Sequence, residues 1–173
     1  VDFETEIVKL EPELVKKALS KAPRYFPLGG REPEYNFHLQ EKHTFYATDG
    51  CMPFTIDFET REKRQSRKED VAQMARMADY FKSIAFYWPM VSAQDFGVAA
   101  PLHELDTTWN NSVKHIQSET LMGARPAEFA VEMATVLRGS LEEVRRRPPF
   151  SVLVCTIAPL MQDKEGIEGA LVL

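Results

Sequence analysis

The chain has 173 residues, of which 44% are hydrophobic and 27% charged, and its formal net charge is −5. This composition is typical of a globular protein, and the acidic balance argues against a surface that binds nucleic acid. No apolar run reaches the roughly 18 residues of a membrane span, and no basic-then-apolar leader opens the chain. We therefore expect a cytoplasmic protein that binds neither nucleic acid nor a membrane.

The first 60 residues contain short β-like segments, separated by turn residues such as Gly29-Gly30 and Asp49-Gly50. One helix is predicted among them over Pro12–Lys21, because proline suits a first helical turn and apolar residues then recur at helical spacing. We predict a mainly β, antiparallel lead-in over residues 1–65. Its expected strands are Thr5–Leu10, Arg24–Leu28, Asn36–Gln40, Thr44–Thr48 and Phe54–Phe58.

From Ser66 onward the apolar residues recur at the spacing of a helix. Ser66 and Glu69 have the spacing of a capping box, in which the serine is the N-cap and the glutamate reaches back to it. Apolar residues then continue to Phe81 in the pattern of a buried helix face. A buried strand, Ser83–Pro89, is predicted next.

Two further pairs of helix and strand follow. A helix over Leu102–Val113 precedes a short strand, His115–Glu119. A helix over Pro126–Leu137, which Gly139 is placed to end, precedes the apolar strand Ser151–Ile157. Strands that are apolar on both faces belong inside parallel sheets. We therefore expect the three strands to lie side by side and point the same way, with helices on their outer flank.

Two architectures fit this alternation of strands and helices. A doubly wound sheet usually has a glycine-rich turn after its first strand, and none of the three strand exits has one. Varied polar exits favour a (β/α)8 TIM barrel, whose site is assembled from many strand ends. We predict that residues 66–173 form its first three strand–helix units. Three units cannot close a barrel, and Gly166–Leu173 is apolar to the last residue, so we expect a piece of a longer enzyme.

No nucleotide-binding loop and no HExxH, CxxC or Gly-x-Ser-x-Gly motif is present. His38 and His43 flank a turn without an obvious third ligand, so no metal site is predicted. Cys51 is expected to be an ordinary loop thiol. Residues at the C-terminal ends of barrel strands face the substrate cavity, and those predicted there are Trp88, Gln117, Ser118, Glu119, Thr156 and Gln162.

Aromatic residues near these exits suggest a cation-binding wall. Tyr87 or Trp88, with Phe45 and Tyr46, can present ring faces, which attract quaternary ammonium ions by about 0.5 to 2 kcal/mol each. An acidic group such as Glu119 would favour a cation further. Core packing is the alternative interpretation of each aromatic residue.

A longer pattern begins at Thr44. The segment Thr44–Gly50 (TFYATDG) is followed by Pro53, Ile56-Asp57, Thr60 and Arg64, and then by a helix that starts with Glu-Asp-Val. The order and spacing of these residues resemble the trimethylamine methyltransferase family. The match continues over nearly the whole chain, at Leu10, Pro12, Leu14-Val15, Ala18, Ala22-Pro23, Gly30-Arg31, Pro33, Asp70–Ala72, Ala75, Ala78-Asp79, Lys114-His115 and Gln117.

The resemblance implies a barrel enzyme that moves a methyl group from a tertiary or quaternary methylamine to cobalt. The amine would be of the trimethylamine or glycine betaine type. The cobalt would belong to a corrinoid (cobalamin), either free or carried by a separate corrinoid protein, with none bound covalently in this chain. Some such proteins carry pyrrolysine, at a position that would lie beyond Leu173.

On this basis we also expect a homo-oligomer at full length. No catalytic residue is assigned, and the residues predicted to contact substrate are Tyr46, Thr48, Asp49, Trp88, Gln117, Glu119 and Thr156.

Two other functions remain open at this point. A barrel lyase or aldolase-like enzyme acting on a small anion would need a lysine or a carboxylate cluster at the strand ends, and the three strands contain no lysine. A truncated, non-catalytic interaction module would be expected to end in a polar, capped helix. The apolar last residues are unlike such an end.

Overall fold

The computed structural model describes residues 2–40, 42–154 and 161–173. Its helices are α1 (Pro12–Lys21), α2 (Lys68–Tyr80), α3 (Ala100–Asn111), α4 (Ala124–Arg138), α5 (Leu141–Arg146) and α6 (Lys164–Val172). Its strands are β1 (Phe26–Leu28), β2 (Phe37–Leu39), β3 (Tyr46–Ala47), β4 (Phe54–Ile56), β5 (Lys63–Gln65), β6 (Ile84–Tyr87), β7 (His115–Ser118) and β8 (Phe150–Val152). Two 3₁₀ segments, Pro33–Tyr35 and Gln94–Ala99, complete the helical elements of this part of the chain.

Four parallel strands form the central sheet, in the order β3-β6-β7-β8. Phe86 of β6 lies opposite His115 of β7, and Gln117 of β7 lies opposite Ser151 of β8. The prediction that three buried strands lie side by side and point the same way is therefore confirmed. The predicted last strand is described only as Phe150–Val152, and its residues from 155 onward lie outside the described ranges.

The fourth strand of this sheet, β3, comes from the lead-in and pairs parallel with β6, with Tyr46 opposite Ile84. An entirely antiparallel lead-in is therefore wrong at this strand. The Thr48 side chain continues the pairing of β3 with β6. Its Oγ1 accepts the N–H of Trp88 at 2.8 Å and donates to the Trp88 carbonyl at 2.6 Å. The hydroxyl replaces a backbone partner, and a two-residue strand can therefore hold its place.

The other lead-in strands are antiparallel, as predicted: β1 pairs with β2, and β4 pairs with β5. The strand predicted over Thr5–Leu10 is absent from the described residues, where only an isolated bridge joins Asp2 to Ile7. The Asp2 carboxylate accepts the backbone N–H groups of Glu4 and Thr5 at 3.0 and 3.3 Å. Such a local turn competes with strand pairing for the same backbone groups.

Helices α2, α3 and α4 cover one face of the sheet. Leu105 and Trp109 of α3 pack with Ile116 of β7 and Phe150 of β8. Further along the sheet, Tyr87 of β6 packs with Ala75 and Ala78 of α2. Because successive residues of a strand point to opposite faces, His115 and Gln117 lie on the face away from these helices.

The predicted capping box of α2 is wrong by one residue. Arg67 is the N-cap, and its N–H donates to the Asp70 carboxylate at 2.8 Å. The Ser66 hydroxyl is fully buried and donates to the carbonyl of Ser92 at 2.7 Å. It therefore joins the start of α2 to the exit of β6, and Glu69 has no serine cap to reach.

The later helices begin and end close to the predicted residues. Gly139 ends α4 in the left-handed conformation, with φ of 85°. Phe129, which the helical pattern places inward, is 39% exposed, and Ala127 is buried instead. Helix α5 was not predicted; Ser140 caps it by accepting the N–H of Glu143 at 3.2 Å.

Candidate functional site

The lead-in closes the N-terminal edge of the parallel sheet. The segment Gly29–Arg31 runs beneath the starts of β7 and β8. The N–H of Gly29 donates to the Pro148 carbonyl at 2.9 Å, and the N–H of Arg31 donates to the Val113 carbonyl at 2.7 Å. The backbone of the lead-in thus occupies this edge, so a substrate site has to lie elsewhere.

Arg138 of α4 fixes the same segment from the side. Its guanidinium donates to the carbonyls of Gly30, Arg31 and Arg147 at 2.7, 3.1 and 3.0 Å. Burial, and secondarily the charge of Arg147, lowers the pKa of Arg138 to about 10. A side chain at Gly30 would not fit, because its Cβ would lie 2.5 Å from the Cβ of Tyr35.

His115 completes this closed end and is fully buried. Its Nδ1 lies 3.2 Å from the carbonyl oxygen of Gly29, and its Nε2 lies 2.9 Å from the Ser151 hydroxyl. Burial lowers its pKa to about 4, against the opposing effect of the Gly29 hydrogen bond. The ring is therefore neutral near pH 7, and we interpret it as a structural group.

The C-terminal edge of the sheet carries a second polar cluster, which we call the mouth cluster: Cys51, Tyr87, Glu104 and Thr120. Glu104 of α3 is 2% exposed. Its Oε2 accepts the Thr120 hydroxyl at 2.8 Å and the Cys51 thiol at 3.8 Å, and its Oε1 accepts the N–H of Ala93 at 3.2 Å. One carboxylate therefore bonds to segments that follow β3, β6 and β7.

The environment of the mouth cluster opposes ionisation of its thiol and phenol. Burial raises the pKa of the Cys51 thiol, and the negative charges of Glu104 and Glu119 raise it further. Burial also raises the pKa of Tyr87; the Met90 backbone opposes this effect, and the negative charge of Glu104 adds to it. Cys51 is thus protonated near neutral pH and is not a thiolate nucleophile.

The predicted site residues of the first two strand exits differ in their surroundings. Thr48 and Trp88 lie together, but the Thr48 hydroxyl is engaged by the Trp88 backbone. The indole Nε1 of Trp88 is buried and has no hydrogen-bond partner among the described residues. Tyr46 is 67% exposed, and the exposed carboxylate of Asp49 accepts the N–H of Gly50 at 2.8 Å.

The remaining predicted residues belong to the exits of β7 and β8. Gln117 is half-buried and lies opposite Ser151. Glu119 is half-buried, and its charge acts on the Cys51 thiol, which places it beside the mouth cluster. Thr156 lies outside the described residues.

The aromatic residues form a group that differs from the predicted wall. On the face away from the helices, Phe37 contacts Phe45 and Phe86 with ring centroids 4.9 and 5.7 Å apart. The same Phe37 ring lies edge-on to His115 at 6.3 Å. This group extends the closed N-terminal end and does not include Trp88, which follows β6 at the strand exits.

The described residues contain neither a metal-binding cluster nor a membrane-spanning helix. No group of three or more His, Cys, Asp or Glu residues within 2–40, 42–154 and 161–173 converges to hold a metal ion. Over the same residues, no helix combines the length and apolarity needed to cross a bilayer.

Residues 1–173 match the family model described as trimethylamine methyltransferase (MTTB). The chain belongs to this family. It is 31% identical over 175 residues to trimethylamine methyltransferase MttB of Desulfitobacterium hafniense (strain DSM 10664 / DCB-2), covering 98% of the chain and 35% of that protein. It is also 31% identical over 173 residues to MttB of Methanosarcina thermophila, covering 92% of the chain and 34% of that protein.

A second activity is represented among the relatives. The chain is 28% identical over 167 residues to the glycine betaine methyltransferase of Desulfitobacterium hafniense (strain Y51), covering 95% of the chain and 34% of that protein. The chain thus spans about a third of the length of these MTTB family proteins.

The residues that carry the MTTB resemblance have structural partners. Asp57 accepts the N–H groups of Glu59 and Thr60, and its second oxygen accepts Arg64 Nε, each at 3.1 Å. Arg64 also binds both oxygens of Asp70, at 2.7 and 2.8 Å. The Thr60 backbone and then Arg64 lower the pKa of Asp57 to about 2. This motif therefore joins the β4–β5 hairpin to the start of α2.

Lys114, another residue of the MTTB match, is also structural. It is 3% exposed, and its ammonium donates to the carbonyls of Ala78 and Phe81 at 2.7 and 2.8 Å. A cation at a helix C-terminus satisfies free carbonyls and interacts favourably with the helix dipole.

Glu104 is the site residue that the sequence interpretation missed. A signal existed, because Glu104 stands four residues after Ala100 and four before Thr108, all on the buried face of α3. An acidic residue in a buried stripe needs hydrogen-bond partners, and here they come from the strand exits.

Proposed function

We propose that this chain is part of a methyltransferase that moves a methyl group from a tertiary or quaternary methylamine to the cobalt of a corrinoid. The observation that carries the proposal is the match to relatives named for trimethylamine and for glycine betaine. Because the chain spans about a third of those proteins, the substrate, the acceptor and the partner are proposed for the whole protein. The lyase and the non-catalytic module are not favoured by these comparisons.

We further propose that the sheet is the first part of a (β/α)8 barrel. Its strands follow chain order, β3-β6-β7-β8, with every neighbour parallel. Doubly wound sheets reverse their order at a switch point, whereas barrel strands keep it. The division into a lead-in over residues 1–65 and barrel units over 66–173 stays part of this proposal.

The proposed substrate cavity lies at the C-terminal edge, because the lead-in fills the other edge. Trp88 directly follows β6 there and is the proposed aromatic contact, and Glu104 and Glu119 supply negative charge. Both features favour a methylated ammonium ion. Gln117 and the other predicted contacts, Tyr46, Thr48, Asp49 and Thr156, remain candidates for orienting it.

The chemistry places few demands on the chain itself. In the transfer the carbon–nitrogen bond of a quaternary or protonated tertiary ammonium ion breaks, the nitrogen keeps the bonding pair and leaves as a neutral amine, and the methyl carbon is attacked by the electron pair of the reduced corrinoid. The protein's task is then to orient the amine and exclude water. A protonated Cys51 and a neutral Tyr87 suit that task, since neither competes as a nucleophile. The corrinoid would be carried by a partner protein or added free.

The test is an assay of the full-length protein with free cob(I)alamin as acceptor. We expect loss of cob(I)alamin absorbance with trimethylamine or with glycine betaine, and faster transfer when a corrinoid protein replaces free cobalamin. No transfer from either amine to either acceptor would contradict the proposed function. Light scattering of the same preparation tests the proposed homo-oligomer, and fractionation of cells tests the cytoplasmic location.

A further inference from the structure

Glu104 is a buried carboxylate to which the structure gives donors but no cation. Its partners among the described residues are the Ala93 N–H, the Thr120 hydroxyl and the Cys51 thiol. All three donate to it, so both of its oxygens act as acceptors. A buried carboxylate left without a positive partner is costly, and hydrogen bonds offset only part of that cost.

Tyr87 supplies an independent observation at the same place. Its side chain is fully buried, and its hydroxyl lies near the Met90 backbone without a hydrogen bond of good geometry among the described residues. The negative charge of Glu104 acts on this hydroxyl. A buried phenol that is incompletely hydrogen-bonded beside a carboxylate is an arrangement that a bound polar ligand can complete.

The Glu104 carboxylate also contacts the segments that form the rim of the proposed substrate mouth. Helix α3 lies on the outer flank of the sheet, yet Glu104 reaches the segments after β3, β6 and β7. The backbone packs closely at Gly50, next to Cys51, because an added Cβ would lie 2.8 Å from the Met90 carbonyl oxygen. The strand exits therefore share one anchoring side chain.

We propose that Glu104 is a positioning residue of the substrate mouth: its carboxylate holds three strand exits in register and supplies the negative potential that favours a cationic amine. This inference rests on the proposed function and deepens it, because it assigns the charge selectivity of the site to one residue. A cation within a few ångströms of a carboxylate in a partly desolvated site is strongly stabilised.

The first test is independent of methyl transfer and uses Cys51 as a reporter. In the full-length protein, the rate of Cys51 alkylation by iodoacetamide is measured against pH, with peptide mass spectrometry to identify the residue and Cys51→Ser as the blank. The titratable groups that face this thiol are Glu104, Glu119 and Tyr87. We expect Glu104→Gln to move the midpoint of the rate profile to lower pH.

The pH profile is measured together with amide hydrogen exchange, because loss of charge and loss of burial both lower the midpoint. Loss of a nearby negative charge shifts the midpoint without faster exchange around Cys51, and a shift of half a pH unit changes the rate below it by about threefold. A loosened loop, which returns water to the thiol, also speeds amide hydrogen exchange at residues 49–52. The matched control is Asp106→Asn, on the same helix, whose side chain is 45% exposed and pairs with Lys68. It should leave the midpoint unchanged.

The second test measures amine recognition. We expect Glu104→Gln to raise KM for the amine about tenfold with a smaller change in kcat, and to weaken tetramethylammonium binding in calorimetry by a similar factor. Asp106→Asn should change neither quantity. An unchanged KM and an unchanged thiol midpoint would overturn the proposal, and so would a shifted midpoint with unchanged amine affinity.

A protein that transfers no methyl group from either amine would refute the proposed function without deciding on Glu104. In that case tetramethylammonium calorimetry and the pH midpoint of Cys51 alkylation still test the role of Glu104. Weaker binding with a shifted midpoint in Glu104→Gln supports the inference, and unchanged binding overturns it.

Discussion

The two edges of the parallel sheet differ in how their buried polar groups are satisfied. At the N-terminal edge, Arg138 and His115 both bond to backbone or side-chain groups of the same structure, and His115 is neutral. At the C-terminal edge, Glu104 is buried among hydrogen-bond donors with no ion-pair partner among the described residues, and the Tyr87 hydroxyl and the Trp88 indole N–H have no hydrogen bond there. The first edge is bonded internally apart from the buried Nε of Arg147, whereas the second has several polar groups available for a ligand.

We expect the largest change in stability when a side chain is added at Gly30, which would show whether the N-terminal edge is closed. Gly30→Val would place atoms against Tyr35 and against the Val113 carbonyl, 2.5 and 2.8 Å from the new Cβ. We expect a loss of about 3 kcal/mol in the free energy of unfolding of the full-length protein, measured by denaturant titration. Gly30→Ala should show a smaller loss of the same sign, and a Gly30→Val protein of unchanged stability would show that this edge is not closed.

The next effect is the pH dependence caused by His115. Its pKa is about 4 when folded and about 6.5 when unfolded, so the unfolded state binds more protons between these values. Stability is therefore fully present above pH 6.5 and is lost as pH falls toward 4, by about 2 to 3 kcal/mol. Denaturant titrations at several pH values measure this slope.

His115→Gln is the control for that slope, because glutamine keeps hydrogen-bonding groups and does not titrate. The difference in stability between the two proteins should shrink as pH falls through the window. A constant difference from pH 7 to pH 4 would show that His115 does not carry the effect.

A smaller effect is expected at Arg138. Arg138→Met keeps much of the side-chain packing and removes the donors to Gly30, Arg31 and Arg147. Leaving buried carbonyls unpaired costs about 2 kcal/mol. Thermal melting should show a clear decrease in Tm, while Arg146→Met, on an exposed arginine whose bonded partner among the described residues is Glu143, should change Tm little. Equal decreases in Tm for the two variants would show that the Arg138 hydrogen bonds stabilise the fold no more than a surface ion pair does.

We expect the smallest change in stability at Thr48, on the C-terminal edge of the sheet. Thr48→Val keeps the side-chain shape and removes both hydrogen bonds to Trp88, at a cost of about 1 kcal/mol. If Thr48 only positions β3, KM for the amine changes less than stability does, as judged against the exposed control Thr44→Val. A large rise in KM without loss of stability would assign Thr48 to substrate contact instead.

The sequence was most informative where one physical signal acts alone. A continuous apolar segment identified the strand that begins near Ile84, and Gly139 marked the end of α4. The incorrect predictions concern side chains whose hydrogen bonds go to partners far away in the sequence. Strand β3 depends on a Thr48 hydroxyl that substitutes for a backbone partner, and Ser66 bonds to a distant loop instead of capping its helix.

The candidate site was less predictable than the fold because its groups meet only in three dimensions. Glu104 lies on a helix that the sequence assigns to the outer flank, and its partners are 16 and 53 positions away for Thr120 and Cys51. The family resemblance located Thr48, the strand-exit argument located Trp88, and the structure brings the two together. Their backbone role was not visible from spacing, since a side chain that replaces a strand partner leaves no periodic pattern.

The bond between Gly29 and Pro148 has a consequence for synthesis of the protein on the ribosome. The Gly29–Arg31 segment emerges early, but Val113, which accepts the Arg31 N–H, is translated much later, and Arg138 and Pro148, which bond to the rest of the segment, later still. At typical elongation rates the delay until Pro148 is on the order of ten seconds. During that interval the nascent segment lacks the backbone partners that hold it in the folded protein.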